Sequence, residues 1–205
     1  MPTSTVRDFD AYPHHTELPP RSRERFTPAT TPLSSAPRGE VVHTADGREL
    51  ILRGIEPGDV AAVQRCFKRL PAQDVRRRFM HAMSELPAPM AQRLCRIDPE
   101  LEAAFVLIDE TVKPAELRGV GRIFVDVATN TAEFSVLVEH EWTRVGLGAL
   151  LMQRLVDECR RRGLDEIWGY VLMENRPMLQ LCKELGFVAT MVPGEGSTAQ
   201  IRLKL

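Results

Sequence analysis

The stretch from residue 132 to 163 constrains the fold most. Alternating apolar residues (Ala132, Phe134, Val136, Val138) lead through a short turn carrying Gly146 and Gly148 into the strongest helical pattern of the chain. Leu147, Leu151, Leu155 and Cys159 form one stripe, flanked by Leu150 and Val156, the spacing of a helix that buries one side. Arg160, Arg161 and Arg162 close the pattern where cations suit the macrodipole, and Gly163 follows as a C-cap. A strand feeding a helix, with a further strand pattern at 166–172, predicts helices laid on a sheet.

The rest of the chain fits that plan. Residues 49–53 read as a strand entered from the turn Asp46-Gly47. Val60, Val63, Cys66, Phe67 and Leu70 recur at helical spacing, and Val75, Phe79 and Met80 suggest a second helix. A third covers residues 88–96 and stops before Asp98-Pro99. The unbroken apolar run 103–108 predicts a buried central strand. Residues 118–127 and 132–138 predict a hairpin across Ala128-Thr-Asn-Thr131. A helix over 175–185 opens on Asn175 as N-cap with Pro177 in its first turn, and strands follow near 187–191 and 200–203. The order predicts an α/β domain, a mixed sheet with helices on both faces.

Residues 1–44 differ. They hold Pro2, Pro13, Pro19, Pro20, Pro28, Pro32 and Pro37 among many Ser, Thr and Arg, with no periodicity. Such a segment buries too little apolar surface to offset its ordering entropy, so a disordered tail is expected there, with a short docked piece around Phe26, and a folded domain over 45–205. Its five arginines meet five acids, and the whole chain carries 27 basic and 28 acidic residues. That balance excludes a nucleic-acid binder held by charge. No apolar run reaches the roughly 18 residues of a membrane span, and residues 1–10 lack a secretory core. Cysteines 66, 95, 159 and 182 show no metal-site spacing. They read as reduced thiols of a cytoplasmic protein, and no metal is expected.

The chemistry is expected at the glycine turn. Free amides and the dipole at a helix start favour a phosphate or pyrophosphate, and glycines let it come close. The turn lacks the third glycine of a dinucleotide fingerprint and the Gly-Lys-Ser/Thr of a P-loop.

Thr143-Arg-Val-Gly-Leu-Gly148 resembles the Q/R-x-x-G-x-G/A motif of the GNAT N-acetyltransferases, and Asn175-Arg-Pro-Met-Leu-Gln-Leu-Cys-Lys-Glu-Leu-Gly-Phe187 resembles that superfamily's N-x-x-x-x-x-L-Y-x-x-x-G-F stretch. Leu52-Arg-Gly-Ile-Glu-Pro-Gly-Asp59 is similar to its R-x-x-x-x-D opening. The resemblance spans roughly residues 46–205. Arg77-Arg-Phe79, Ala132-Glu-Phe-Ser-Val136 and residues 171–179 are most similar to Pat-type protein lysine acetyltransferases.

The resemblance implies a mainly antiparallel sheet and acetyl-CoA as cosubstrate. Its pyrophosphate would lie on the amides of Thr143, Arg144, Val145, Gly146, Leu147, Gly148 and Ala149, and Asn175 would add a contact. Val136, Leu137 and Val138 would donate backbone hydrogen bonds to the pantetheine arm, one of them polarising the thioester carbonyl. Glu133 would be the general base toward an amine that arrives as an ammonium of pKa near 10. Alternation already sets Glu133 apart, since it puts a carboxylate on a strand with little solvated face.

Two positions depart from the pattern. Thr143 replaces Gln or Arg, so one side-chain contact to phosphate is either lost or passed to Arg144. Cys182 replaces the tyrosine that many relatives use as acid, leaving that proton to Cys182, to water, or to no acid at all, since a CoA thiolate leaves reasonably well. His140 is a reserve base, and it and Glu139 read as a surface turn. No Ser-His or Cys-His nucleophile is visible, so direct attack in a ternary complex is expected. The acceptor implied is a protein lysine; a polyamine or aminoglycoside-like amine, a non-catalytic acyl-CoA-binding module, and a tail that docks a partner protein are the alternatives. No nucleic-acid or membrane partner is expected, and the oligomeric state is not legible.

Overall fold

The computed structural model describes residues 39–194 and 196–205. Eight strands form one sheet in the order β1-β2-β3-β4-β5-β6-β8-β7. They are β1 (Glu40–His43), β2 (Glu49–Gly54), β3 (Glu102–Asp109), β4 (Glu116–Asp126), β5 (Thr131–Val138), β6 (Glu166–Leu172), β7 (Val188–Met191) and β8 (Thr198–Lys204). All neighbours are antiparallel except β5 and β6, which are parallel. A parallel pair needs a crossover, and α4 (Leu147–Arg161) supplies it. Helices α1 (Val60–Arg69), α2 (Ala72–Phe79) and α3 (Ala88–Cys95) lie between β2 and β3, and α5 (Arg176–Glu184) between β6 and β7.

Period-two alternation sorts the two faces. Ile123, Ala132 and Phe134 pack with Met152, Leu155 and Val156 of α4 and with Cys182 of α5. Val120 and Leu137, from the other register, pack with Ile55 and with Val63 and Cys66 of α1. Leu151, Met152 and Leu155 are wholly buried, and each such side chain stabilises the fold by about 1.5–3 kcal/mol relative to exposure. The fold is therefore a mixed, mainly antiparallel sheet with helices on both faces, the arrangement the sequence resemblance implies.

Charges are organised as firmly as the core. Arg122 and Glu102, each 2% exposed, pair at 2.8 Å. Glu116 accepts from Arg65 and Arg69, Arg69 also donates to Glu139, and Arg118 bridges Glu139 and Asp109. This chain ties α1 to the ends of β3, β4 and β5. Burial pushes the carboxyls of Glu116 and Asp109 up, but the hydrogen bonds they accept outweigh it and leave both below the ordinary range.

Residues 40–43, which composition assigns to the tail, pair with β2 instead. Two apolar residues give no signal alone; the pairing is a tertiary effect. The rest of the expected tail and the piece around Phe26 lie outside the described residues. Among the described residues no helix is long and apolar enough to cross a membrane.

Candidate active site

The β5–β6 ladder is short. Thr131, Ala132 and Glu133 pair with Glu166, Ile167 and Trp168, and there the pairing stops. Beyond it β5 continues against β4 and β6 against β8, so the two strands part. At the next residues they still lie close: a Cβ on Gly169 would stand 2.9 Å from the ring of Phe134 and 3.1 Å from its carbonyl oxygen. Only glycine admits that approach. Phe134 is itself braced edge-on by Phe187 at 5.6 Å.

The parted edge of β5 carries free ladder groups. Glu139 N–H donates to Arg118 C=O at 2.8 Å, and N–H directions alternate along an antiparallel strand. The amides of Val136 and Val138 therefore face the opening, as the Phe134 carbonyl beside Gly169 also indicates. The amide of Leu137 faces β4 instead, and its side chain packs on the α1 side. Leu137 thus drops out of the groups that can reach a ligand there, because three consecutive amides cannot all point one way.

Glu133, at the start of the opening, shares the α2-facing side of β5 with Ser135 and Leu137. Some 17 Å on, at about 3.3 Å per residue, the strand ends at Val138. A single 3-10 turn (His140–Trp142) follows. Thr143 Oγ1 donates to His140 C=O at 2.8 Å, which engages that hydroxyl within the turn. Arg144 is left-handed at φ 63° and Gly146 at φ 92°, so the chain reverses sharply into α4. Val145 C=O accepts from Ala45 N–H at 3.0 Å, which braces the turn against the β1–β2 hairpin. Trp142, buried beside it, lies under the Arg48 guanidinium at 3.7 Å.

Among the described residues no amide of residues 144–149 donates to another protein group, and no side chain caps α4. Orphan amides, the dipole and the exposed Arg144 together could hold an anion such as a pyrophosphate. Leu147 belongs to this group through its amide alone, its side chain being buried. Asn175 caps α5, its Oδ1 accepting from Met178 N–H at 3.4 Å.

Other candidates fall elsewhere. Cys182 is 1% exposed in the α4-side core, and burial pushes its thiol up to about 12. It is a neutral core residue. Glu139 is not on the surface: it is 4% exposed and held by Arg69 and Arg118. His140 is exposed, its Nδ1 lying 3.2 Å from Asp74 Oδ2, while Asp74 Oδ1 accepts from Arg77 at 3.1 Å. Nothing local signals the Asp74 partnership, which joins residues 66 apart. Arg76 reaches Glu174, beyond β6, at 3.3 Å.

The model of the acetyltransferase (GNAT) family matches residues 65–187. An acetyltransferase of Pseudomonas aeruginosa is 29% identical over 161 residues, covering 78% of this chain and 86% of that protein. The ribosomal protein bS18-alanine N-acetyltransferase of Escherichia coli is 32% identical over 68 residues, 33% of this chain and 44% of that enzyme. Among solved structures, the GNAT domain of S. lividans PAT superposes with TM-score 0.72 at 17% identity, covering 81% of this chain and 96% of that one. Spermidine N-acetyltransferase from Vibrio cholerae, solved with CoA and spermine, gives 0.60 at 20% identity, with 76% and 95% covered. The chain belongs to the GNAT acetyltransferase family. It is an N-acetyltransferase, and acetyl-CoA is its cosubstrate.

Proposed function

We propose that this enzyme acetylates a protein lysine, with Glu133 as general base and the amides of residues 144–149 holding the pyrophosphate. The observation that carries the reading is the arrangement of β5. A carboxylate stands where the strands part, free amides of Val136 and Val138 follow, and the anion seat lies at the far end. Acetyl-CoA supplies an activated acyl thioester. Glu133 takes a proton from the ammonium, and the freed nitrogen lone pair forms the C–N bond as the C–S bond breaks. The amide of Val136 or Val138 steadies the charge gathering on the carbonyl oxygen. The new amide nitrogen sheds its second proton, and water carries that proton to the thiolate, because Cys182 is sealed in the core.

Arg144 takes over the phosphate contact that Thr143 cannot make. The Pat-like sequence stretches support lysine as acceptor, and the partial likeness to a ribosomal-protein acetyltransferase supports a protein amine. Four thiols without a disulfide suit a cytoplasmic setting.

Thiol release in single turnover, with lysine peptides and with spermidine as acceptors, tests this. The expected result is release with peptide, slowed at least about a hundredfold in Glu133→Gln, and equal heats of coenzyme A binding for both proteins. Release with spermidine alone moves the acceptor to small amines. Binding without turnover on any amine makes the domain a binding module.

A further inference from the structure

Two buried polar atoms among the described residues have no hydrogen-bond partner, Ser135 Oγ and Arg77 Nε. A buried hydroxyl without a partner costs about 1–3 kcal/mol, and native proteins rarely leave one so. Ser135 stands two residues from Glu133 on the same side of β5, and α2, which carries Arg77, packs over that strand. Next to Ser135 comes Val136, whose amide faces the opening.

The surroundings show what guest the hydroxyl suits. Ser135 is the register partner of Arg122, and Val120 that of Leu137. Arg122, Val120 and Leu137 line a cavity of about 40 Å³ under α1 and α2, whose wall also includes Ile55, Leu117, Phe79 and Arg78. The Arg122 charge is already matched by Glu102. The cavity wall beyond Leu137 is mostly apolar, while Ser135 and Glu133 carry side-chain oxygens on one side of the strand, about 7 Å apart at their Cα atoms. A nitrogen between them can give a proton to the carboxylate and a hydrogen bond to the hydroxyl.

We propose that Ser135 is a positioning and specificity residue of the acceptor site. Its Oγ accepts a hydrogen bond from the amine while Glu133 takes the proton, and the apolar stem of the acceptor lies over Leu137 toward the cavity. The class of acceptor selected is a primary amine on an aliphatic stem. A primary ammonium has a hydrogen for each oxygen and one to spare; a tertiary one has a single hydrogen. The inference rests on the acetyl-transfer reading.

Its test uses the opposite signs expected for stability and function. Ser135→Ala deletes a hydroxyl that nothing in the fold satisfies, so the melting temperature should stay or rise. The kcat/KM for the amine should fall about 3- to 10-fold, the worth of one hydrogen bond, with coenzyme A affinity unchanged and partial recovery in Ser135→Thr. Amine binding is read separately as the thermal shift that n-hexylamine gives the coenzyme A complex, present in the parent and weakened in Ser135→Ala. A lower melting temperature with unaltered kinetics and amine shift assigns the hydroxyl a structural role and overturns the proposal. Equal amine shifts in parent and Ser135→Ala overturn it too. Loss of that shift in the variant, with a parent that releases no thiol, upholds the amine site and sinks acetyl transfer instead.

Discussion

Glu133 and Trp168 are the last paired residues of the parallel joint between β5 and β6. Everything assigned to the site follows from where that joint ends. Three pairs more would cover the edge that exposes Val136; one pair fewer would free Glu133 from the frame that orients it.

The first prediction separates the two bases. Glu133 and His140 are seven residues apart along an extended segment, so they cannot serve one amine. Glu133→Gln should lower kcat by about 10²–10⁴, the range for losing a general base, and His140→Ala by less than about tenfold. Steady-state rates at saturating acetyl-CoA decide between them.

Gly146 has φ 92° with open space where a Cβ would go. Gly146→Ala therefore meets backbone strain and no clash, about 1–2 kcal/mol. Relief of that strain tilts the amides away from their common target. Calorimetry should show coenzyme A binding weakened about tenfold with the fold retained by circular dichroism.

A different penalty applies at Gly169, whose added methyl would press on the Phe134 ring at 2.9 Å. Gly169→Ala should destabilise by about 1–3 kcal/mol, as overpacking does, while Gly54→Ala, with no neighbour near, should cost little. Urea midpoints give the comparison. The larger loss at Gly169 should be partly reversed by Phe134→Leu.

The thiols give a cheap check on the core. Burial pushes Cys66, Cys159 and Cys182 up to about 12 and Cys95 to about 11. At pH 8 a disulfide reagent should find almost no reactive thiol in the folded protein and four after denaturation. Rapid reaction of Cys182 in the native state would return it to the candidates for the acid.

Acid should loosen the ion-pair chain. The carboxyls of Asp109 and Glu116 lie below their ordinary values in the folded state, so their contribution is fully present above about pH 5 and is lost as pH falls through the folded values. Urea midpoints from pH 7 to pH 3 should drop, and Glu116→Gln should flatten the drop.

Much of this was legible in the residues. The stripe Leu147, Leu151, Leu155, Cys159 announced α4, and alternation put Glu133 and Phe134 on opposite sides of β5. Local pattern served there because burial on one side is a property of a single element. It failed where partners are distant. Glu139 reads as a surface carboxylate until Arg69 and Arg118 close on it, and β1 is invisible without β2. Leu137 illustrates another limit: periodicity orients side chains, while the direction of an amide depends on which neighbour the strand pairs with.

The sheet follows the order of the chain from β1 to β6, with only β7 and β8 exchanged. A nascent chain can therefore zip each strand onto its predecessor as synthesis proceeds, without holding a distant gap open. The exception is the joint at Glu133, which waits until α4 and β6 have emerged. The opening beside Glu133 is thus among the last features to be completed, and a ribosome-stalled fragment ending before residue 166 should already carry the antiparallel half of the sheet while lacking one wall of the opening.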